Sequence, residues 1–126
     1  MSGSRPTGAL HGVLVTFGRP DSLATILEDL AHAGLDSLTV VDNAPSSASA
    51  RIVADAAARF DVTYVPMTEN TGPAGGIAEG MTRVLAVAND DDWIVTLDDG
   101  VFALRPGTAG YIVIRKGNFT PLPVSR

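Results

Sequence analysis

A chain of 126 residues, 45% hydrophobic and 18% charged, has the makeup of a single globular domain and not of a disordered segment. A net charge of −5, with nine scattered Lys and Arg, excludes a general nucleic-acid binder, whose phosphate affinity needs clustered cations. With no cysteine there is neither a disulfide framework nor a thiolate metal site, and no apolar run reaches the roughly 18 residues of a transmembrane segment.

Residues 1–10 read as a flexible tail without a signal-peptide apolar region, so a cytoplasmic protein is expected. His11 to Phe17, with Val13, Leu14 and Val15 at its centre, reads as a strand stopped by Gly18-Arg19-Pro20. A helix is expected from about Asp21 to Ala33, with Asp21 or Ser22 as its N-cap. Leu23, Ile26, Leu27 and Leu30 fall at i, i+3, i+4 and i+7, one apolar stripe for a sheet, and Gly34 is placed for a left-handed cap. Leu38 to Val41 is a second strand, ending at Asp42-Asn43. Ser46 is positioned to cap a second helix running to about Arg59, with Ile52, Val53, Ala56 and Phe60 on its buried side. Val62 to Val65 is a third strand, ended by Pro66.

The next segment, Glu69-Asn70-Thr71-Gly72-Pro73-Ala74-Gly75-Gly76, reads as a glycine-rich loop feeding a helix with Ile77, Met81, Val84 and Leu85 on one face. Trp93 to Leu97 is a fourth, buried strand ending at Asp98-Asp99. After Gly100 the pattern changes to short extended pieces, Val101 to Leu104, Tyr111 to Arg115 and Phe119 to Val124. They suit a hairpin or a strand added to the sheet edge. The alternation up to Gly100 predicts an α/β domain over residues 11–100, with a mostly parallel sheet and helices on both faces. Residues 101–126 are expected to add a short C-terminal β extension.

In such sheets ligands collect at the carboxyl ends of the strands. Thr16 and Phe17, Asp42 and Asn43, and Asp98 and Asp99 stand at those ends, and the glycine-rich segment follows the third. An aromatic edge suits a nucleobase, and a carboxylate accepts from a base N–H. Glycines permit close approach to a diphosphate, and paired carboxylates are hard ligands for Mg²⁺ or Mn²⁺. Each piece also has a plain reading, since Asp-Asn, Asp-Asp-Gly and Gly runs are good turn chemistry. A dehydrogenase fingerprint would follow the first strand directly, and a P-loop would end in Gly-Lys-Ser/Thr; neither is present. His11, His32, Glu69 and Glu79 read as structural or solvated residues.

In order, Val13-Leu-Val-Thr-Phe-Gly-Arg-Pro20, Val40-Val-Asp-Asn43, Asn70-Thr-Gly-Pro-Ala-Gly-Gly76 and Trp93-Ile-Val-Thr-Leu-Asp-Asp99 resemble the N-terminal half of family 2 glycosyltransferases of the GT-A, Rossmann-like fold. The asparagine and glycine segment looks most like the galactofuranosyl- and rhamnosyltransferase branch. The resemblance implies a nucleotide-diphospho-sugar donor, a saccharide or lipid-linked acceptor, Mn²⁺ or Mg²⁺, and metal-assisted glycosyl transfer. It implies that Thr16 and Phe17 line the base pocket, Asp42 pairs with the base, and Asn43, Asn70, Gly72, Gly75 and Gly76 border the donor. Asp98 and Asp99 become the DXD-type ribose and metal site.

Two departures stand out. Many relatives carry a third acid where Gly100 stands; read one residue earlier, with Thr96 in the first slot, Asp99 is the metal ligand. The 26 residues after Gly100 contain no Asp, Glu or His that could serve as the base of an inverting transfer. This leaves an alternative of another class, a non-catalytic nucleotide-binding module. It would form a homodimer through the C-terminal strands, where Tyr111, Ile112, Val113 and Ile114 suit edge pairing.

Overall fold

A computed structural model of the chain describes residues 8–97 together with the backbone of Asp98 and of residues 112–115. The elements are β1 (Leu10–Thr16), α1 (Pro20–Leu30), β2 (Ser37–Asp42), α2 (Ser47–Ala57), β3 (Val62–Pro66), α3 (Gly72–Val87), β4 (Trp93–Asp98) and β5 (Ile112–Arg115). The sheet order is β3-β2-β1-β4-β5. The first four strands run parallel, and β5 adds antiparallel to β4. Of the three extended pieces expected after Gly100, the one around Tyr111–Arg115 supplies β5; Val101–Leu104 and Phe119–Val124 lie outside the described residues. No helix among the described residues is long and apolar enough to cross a membrane.

Alternation along the strands sorts the core into two layers. Leu14, Leu38, Val40, Val95 and Leu97 face α1 and α2 and meet Leu23, Ile26, Leu27, Leu30, Val53 and Ala56. On the other face, Val13 and Ile94 meet Val84 of α3 and Ala88 just beyond its end, while Val15, Val41 and Val65 meet Ile77 of α3. Each leucine buried in this way contributes about 2 kcal/mol relative to an exposed one. Helices thus cover both faces, as the alternating pattern predicts.

Three local expectations are corrected. The N-cap of α1 is Arg19, which makes no side-chain capping bond; Pro20 occupies the first helical turn, where its fixed φ and missing N–H suit a helix start. Gly34 does take a positive φ of 83°, but only after α1 has ended and bonds from His32 N–H to Asp29 and from Ala33 N–H to Leu30 have tightened the turn. The glycine-rich segment is largely not a loop, because α3 begins at Gly72.

The reason for the last is tertiary. A Cβ on Gly76 would lie 2.7 Å from Val15 Cγ1, and one on Gly80 would lie 2.4 Å from Val13 Cγ1. Bare helix backbone at these two positions lets α3 sit directly on β1. The expected cap of α2 is present: Ser46 Oγ accepts from Ser49 N–H at 3.1 Å, and Ser49 Oγ accepts from Ser46 N–H at 3.0 Å.

Candidate functional site

The parallel register carries the strand ends to one rim. Thr16 stands opposite Asp42, and Val15 opposite Asp98, while Asp42 stands opposite Pro66, from which the chain leads into α3. A cleft of about 240 Å³ opens there, lined by Val15, Thr16, Phe17, Arg19, Asn43, Asn70, Gly72 and Pro73. Five of the residues expected at the site, Thr16, Phe17, Asn43, Asn70 and Gly72, are therefore brought together. Phe17 is 53% exposed, an aromatic face held at the rim instead of in the core. Arg19, read from sequence as part of a strand stop, and Pro73, read as part of the glycine-rich segment, are not singled out there as site residues. Their closeness in the chain to Phe17 and Asn70 was the available signal.

Asp42 is placed differently. It is fully buried and absent from the cleft lining. Its Oδ2 accepts from Ser49 Oγ and from Tyr64 Oη, both at 2.7 Å, and its Oδ1 accepts from Ala44 N–H at 3.0 Å. These donors satisfy a carboxylate that burial would otherwise penalise heavily. Burial, and next the bond to Asp42, push the Tyr64 hydroxyl above its ordinary pKa, so it stays a donor.

Asn43 is also buried, and its amide is bound to the start of α3. Nδ2 donates to Gly72 O at 2.9 Å, while Oδ1 accepts from Thr71 N–H at 3.2 Å and Thr71 Oγ1 at 3.0 Å. Asn70 Oδ1 accepts from Gly72 N–H at 2.9 Å, satisfying one of the unpaired donors of the helix start. Gly75 and Gly76 do not line the cleft. A Cβ on Gly75 would press on Thr71, and one on Gly76 would lie 3.2 Å from Asn43 Nδ2 in addition to its Val15 contact. Their observed role is close packing behind the rim.

The backbone of Asp98 ends β4 beside Val15 of the cleft, and Asp99 lies outside the described residues. Among the described residues there is no group of three or more His, Asp or Glu able to hold a metal ion. The acid pair itself has the hard oxygen donors that Mg²⁺ and Mn²⁺ prefer.

At the opposite rim, His11 ties together the starts of three strands. Its Nδ1 lies 2.7 Å from Ser37 Oγ and its Nε2 2.8 Å from Asp92 Oδ2. Asp92 also accepts from the N–H groups of Ala9 and Asn89. The Ala9 bond first, then His11 and Asn89, hold its carboxyl pKa down at about 2. His11 is thus structural, as read from sequence, and exposed His32 pairs with Glu28 at 3.6 Å. Glu79 forms a surface pair with Arg83 along α3.

Comparison with solved structures shows the same fold. The mannosyltransferase PcManGT from Pyrobaculum calidifontis, solved with GDP-Man and Mn²⁺, is 19% identical with a TM-score of 0.57 over 77% of this chain and 28% of its own. TarS 1-349 of S. aureus is 16% identical with a TM-score of 0.56, over 72% of this chain and 27% of its own. A 4-diphosphocytidyl-2C-methyl-D-erythritol synthase is 16% identical with a TM-score of 0.59, over 80% and 51%. This chain therefore spans about a quarter to a half of their lengths. No curated relative matches the sequence. The family model of glycosyl transferase family 2 matches residues 13–102, the stretch that carries every strand end of the rim. The chain belongs to glycosyl transferase family 2.

Proposed function

We propose that the rim cleft holds the nucleotide of a nucleotide-diphospho-sugar donor. The observation that carries this reading is the meeting of exposed Phe17 with Thr16, Arg19, Asn43, Asn70 and Gly72 at the carboxyl ends of the parallel strands of a family 2 domain. Phe17 offers a stacking face for the base, a contact of about 1–3 kcal/mol. Arg19 adds positive charge for a phosphate.

Asp98 and Asp99, as a DXD-type pair, would hold Mn²⁺ or Mg²⁺. The bound cation would neutralise charge on the leaving diphosphate. The mannosyltransferase solved with GDP-Man and Mn²⁺ supports that cofactor class. The base edge is assigned to Asp42 only if a ligand opens its bonds to Ser49 and Tyr64. The reaction of the family is glycosyl transfer to a saccharide or lipid-linked acceptor, in a cytoplasmic setting. The asparagine and glycine segment favours the galactofuranosyl- and rhamnosyltransferase branch. Residues 101–126 contain no Asp, Glu or His, so the base of an inverting transfer is not drawn from them.

Calorimetric titration of UDP, GDP and dTDP, with and without Mn²⁺, tests the reading. At least one nucleotide should bind more tightly with the metal, and Asp99→Ala should remove that increment. A second reading, a non-catalytic module dimerising through the C-terminal strands, draws on β5 standing last in the sheet order. A monomeric mass in solution counts against it.

A further inference from the structure

The two walls of the cleft come from segments far apart in the chain. Thr16, Phe17 and Arg19 follow the body of β1, while Asn70, Gly72 and Pro73 open α3. Asn43 is bonded to both. Its backbone N–H donates to Thr16 O at 2.9 Å, at the foot of the first wall. Its side chain makes the three bonds to Thr71 and Gly72 in the second. The Gly72 residue is thereby held at its N–H by Asn70 and at its C=O by Asn43, and it takes a φ of +75° that glycine adopts without strain. An amide side chain can make four hydrogen bonds, two given and two accepted. Three are committed here.

We infer that Asn43 is a positioning residue of the donor cleft, setting the separation and orientation of its two walls, and that its amide is chosen over a carboxylate by Gly72 O. The inference rests on the donor reading above. A carboxylate at this position could accept from Thr71 only while facing Gly72 O with an oxygen in place of a donor, so the repulsion would loosen its bonds to Thr71 as well. Once protonated, the same carboxyl would donate to Gly72 O and restore the clasp. Burial raises the pKa of such a group, bringing this change within reach of mild acid.

The test uses the full chain with Asn43→Asp. Affinity is measured from pH 8 down to pH 5 for whichever of UDP, GDP and dTDP binds the wild type most tightly with Mn²⁺. Amide hydrogen exchange at Thr71 and Gly72 is measured without nucleotide. At pH 8 the variant should bind at least about tenfold more weakly than the wild type, and its Thr71 and Gly72 amides should exchange faster. Relative to the wild type at each pH, both defects should shrink as pH falls. Thr71→Ala, which alters the clasp without touching the cleft lining, should weaken binding about threefold and covers the case in which Asn43→Asp does not fold.

Nucleotide binding equal to wild type in both variants overturns the inference. So does an Asn43→Asp defect that is constant with pH and leaves exchange unchanged, the mark of a lost direct contact. If the wild type binds no nucleotide, the donor reading falls and the positioning role with it, whereas the exchange data still report whether the clasp exists.

Discussion

Gly80→Ala tests how α3 is seated. An added Cβ would stand 2.4 Å from Val13 Cγ1 and 3.2 Å from Val41 Cγ2. Ordinary carbon contacts lie at about 3.5–4.0 Å, so the overlap with Val13 is roughly 1 Å. Val13 cannot yield easily: it is fully buried between β2 and β4, and a β-branched side chain has few alternative rotamers. The helix must lift instead. Replacing a helical glycine by alanine gains about 1 kcal/mol of propensity, and overpacking of a core costs about 1–3 kcal/mol. With the overlap near its severe end, a net loss of about 1–2 kcal/mol is expected. Urea unfolding followed by the fluorescence of Trp93, with an unchanged slope, measures it. Val13→Ala removes the obstructing methyl, so the double variant should lose less than the sum of the singles by about 1 kcal/mol. A Gly80→Ala protein that is more stable than wild type, or a double variant that is simply additive, refutes the close-packing argument.

Two other outcomes follow from the two rims. Asp92 has a depressed folded-state pKa of about 2 against an ordinary 3.8, so its stabilisation is fully present above about pH 4 and is lost as pH falls toward 2. Asp92→Asn should remove that part of the acid transition, at most about 2 kcal/mol with solvent screening at the rim, and pH-dependent urea midpoints show it. Phe17→Ala should cost about 1–3 kcal/mol of nucleotide affinity by calorimetry. It should leave the unfolding midpoint nearly unchanged, because the ring is 53% exposed.

The order of elements and the faces they bury were legible because Leu23, Ile26, Leu27 and Leu30 repeat with the helical period and all four are buried in the structure. Ser46 was legible as a cap because capping is a local bond. The start of α3 was not. Glycine is a poor helix former, and what overrides that here is contact between Gly76 or Gly80 and valines of β1 more than 60 residues earlier in the chain. The state of Asp42 was hidden for a related reason. An acid at a strand end reads as a rim ligand, and its donors Ser49 and Tyr64 stand 7 and 22 residues away on other elements. Arg19 reads as a strand stop and Pro73 as one member of the glycine-rich segment, so neither stands out before the cleft is known.

The most direct measurement for the donor reading is amide shift mapping of the labelled chain during titration with the tightest-binding sugar nucleotide and Mg²⁺. Shifts concentrated at Thr16 to Arg19, Asn43, and Asn70 to Gly72 are what a nucleotide seated in the rim cleft produces. Shifts gathered at His11, Ser37 and Asp92 on the far rim, or none at saturating nucleotide, would contradict it.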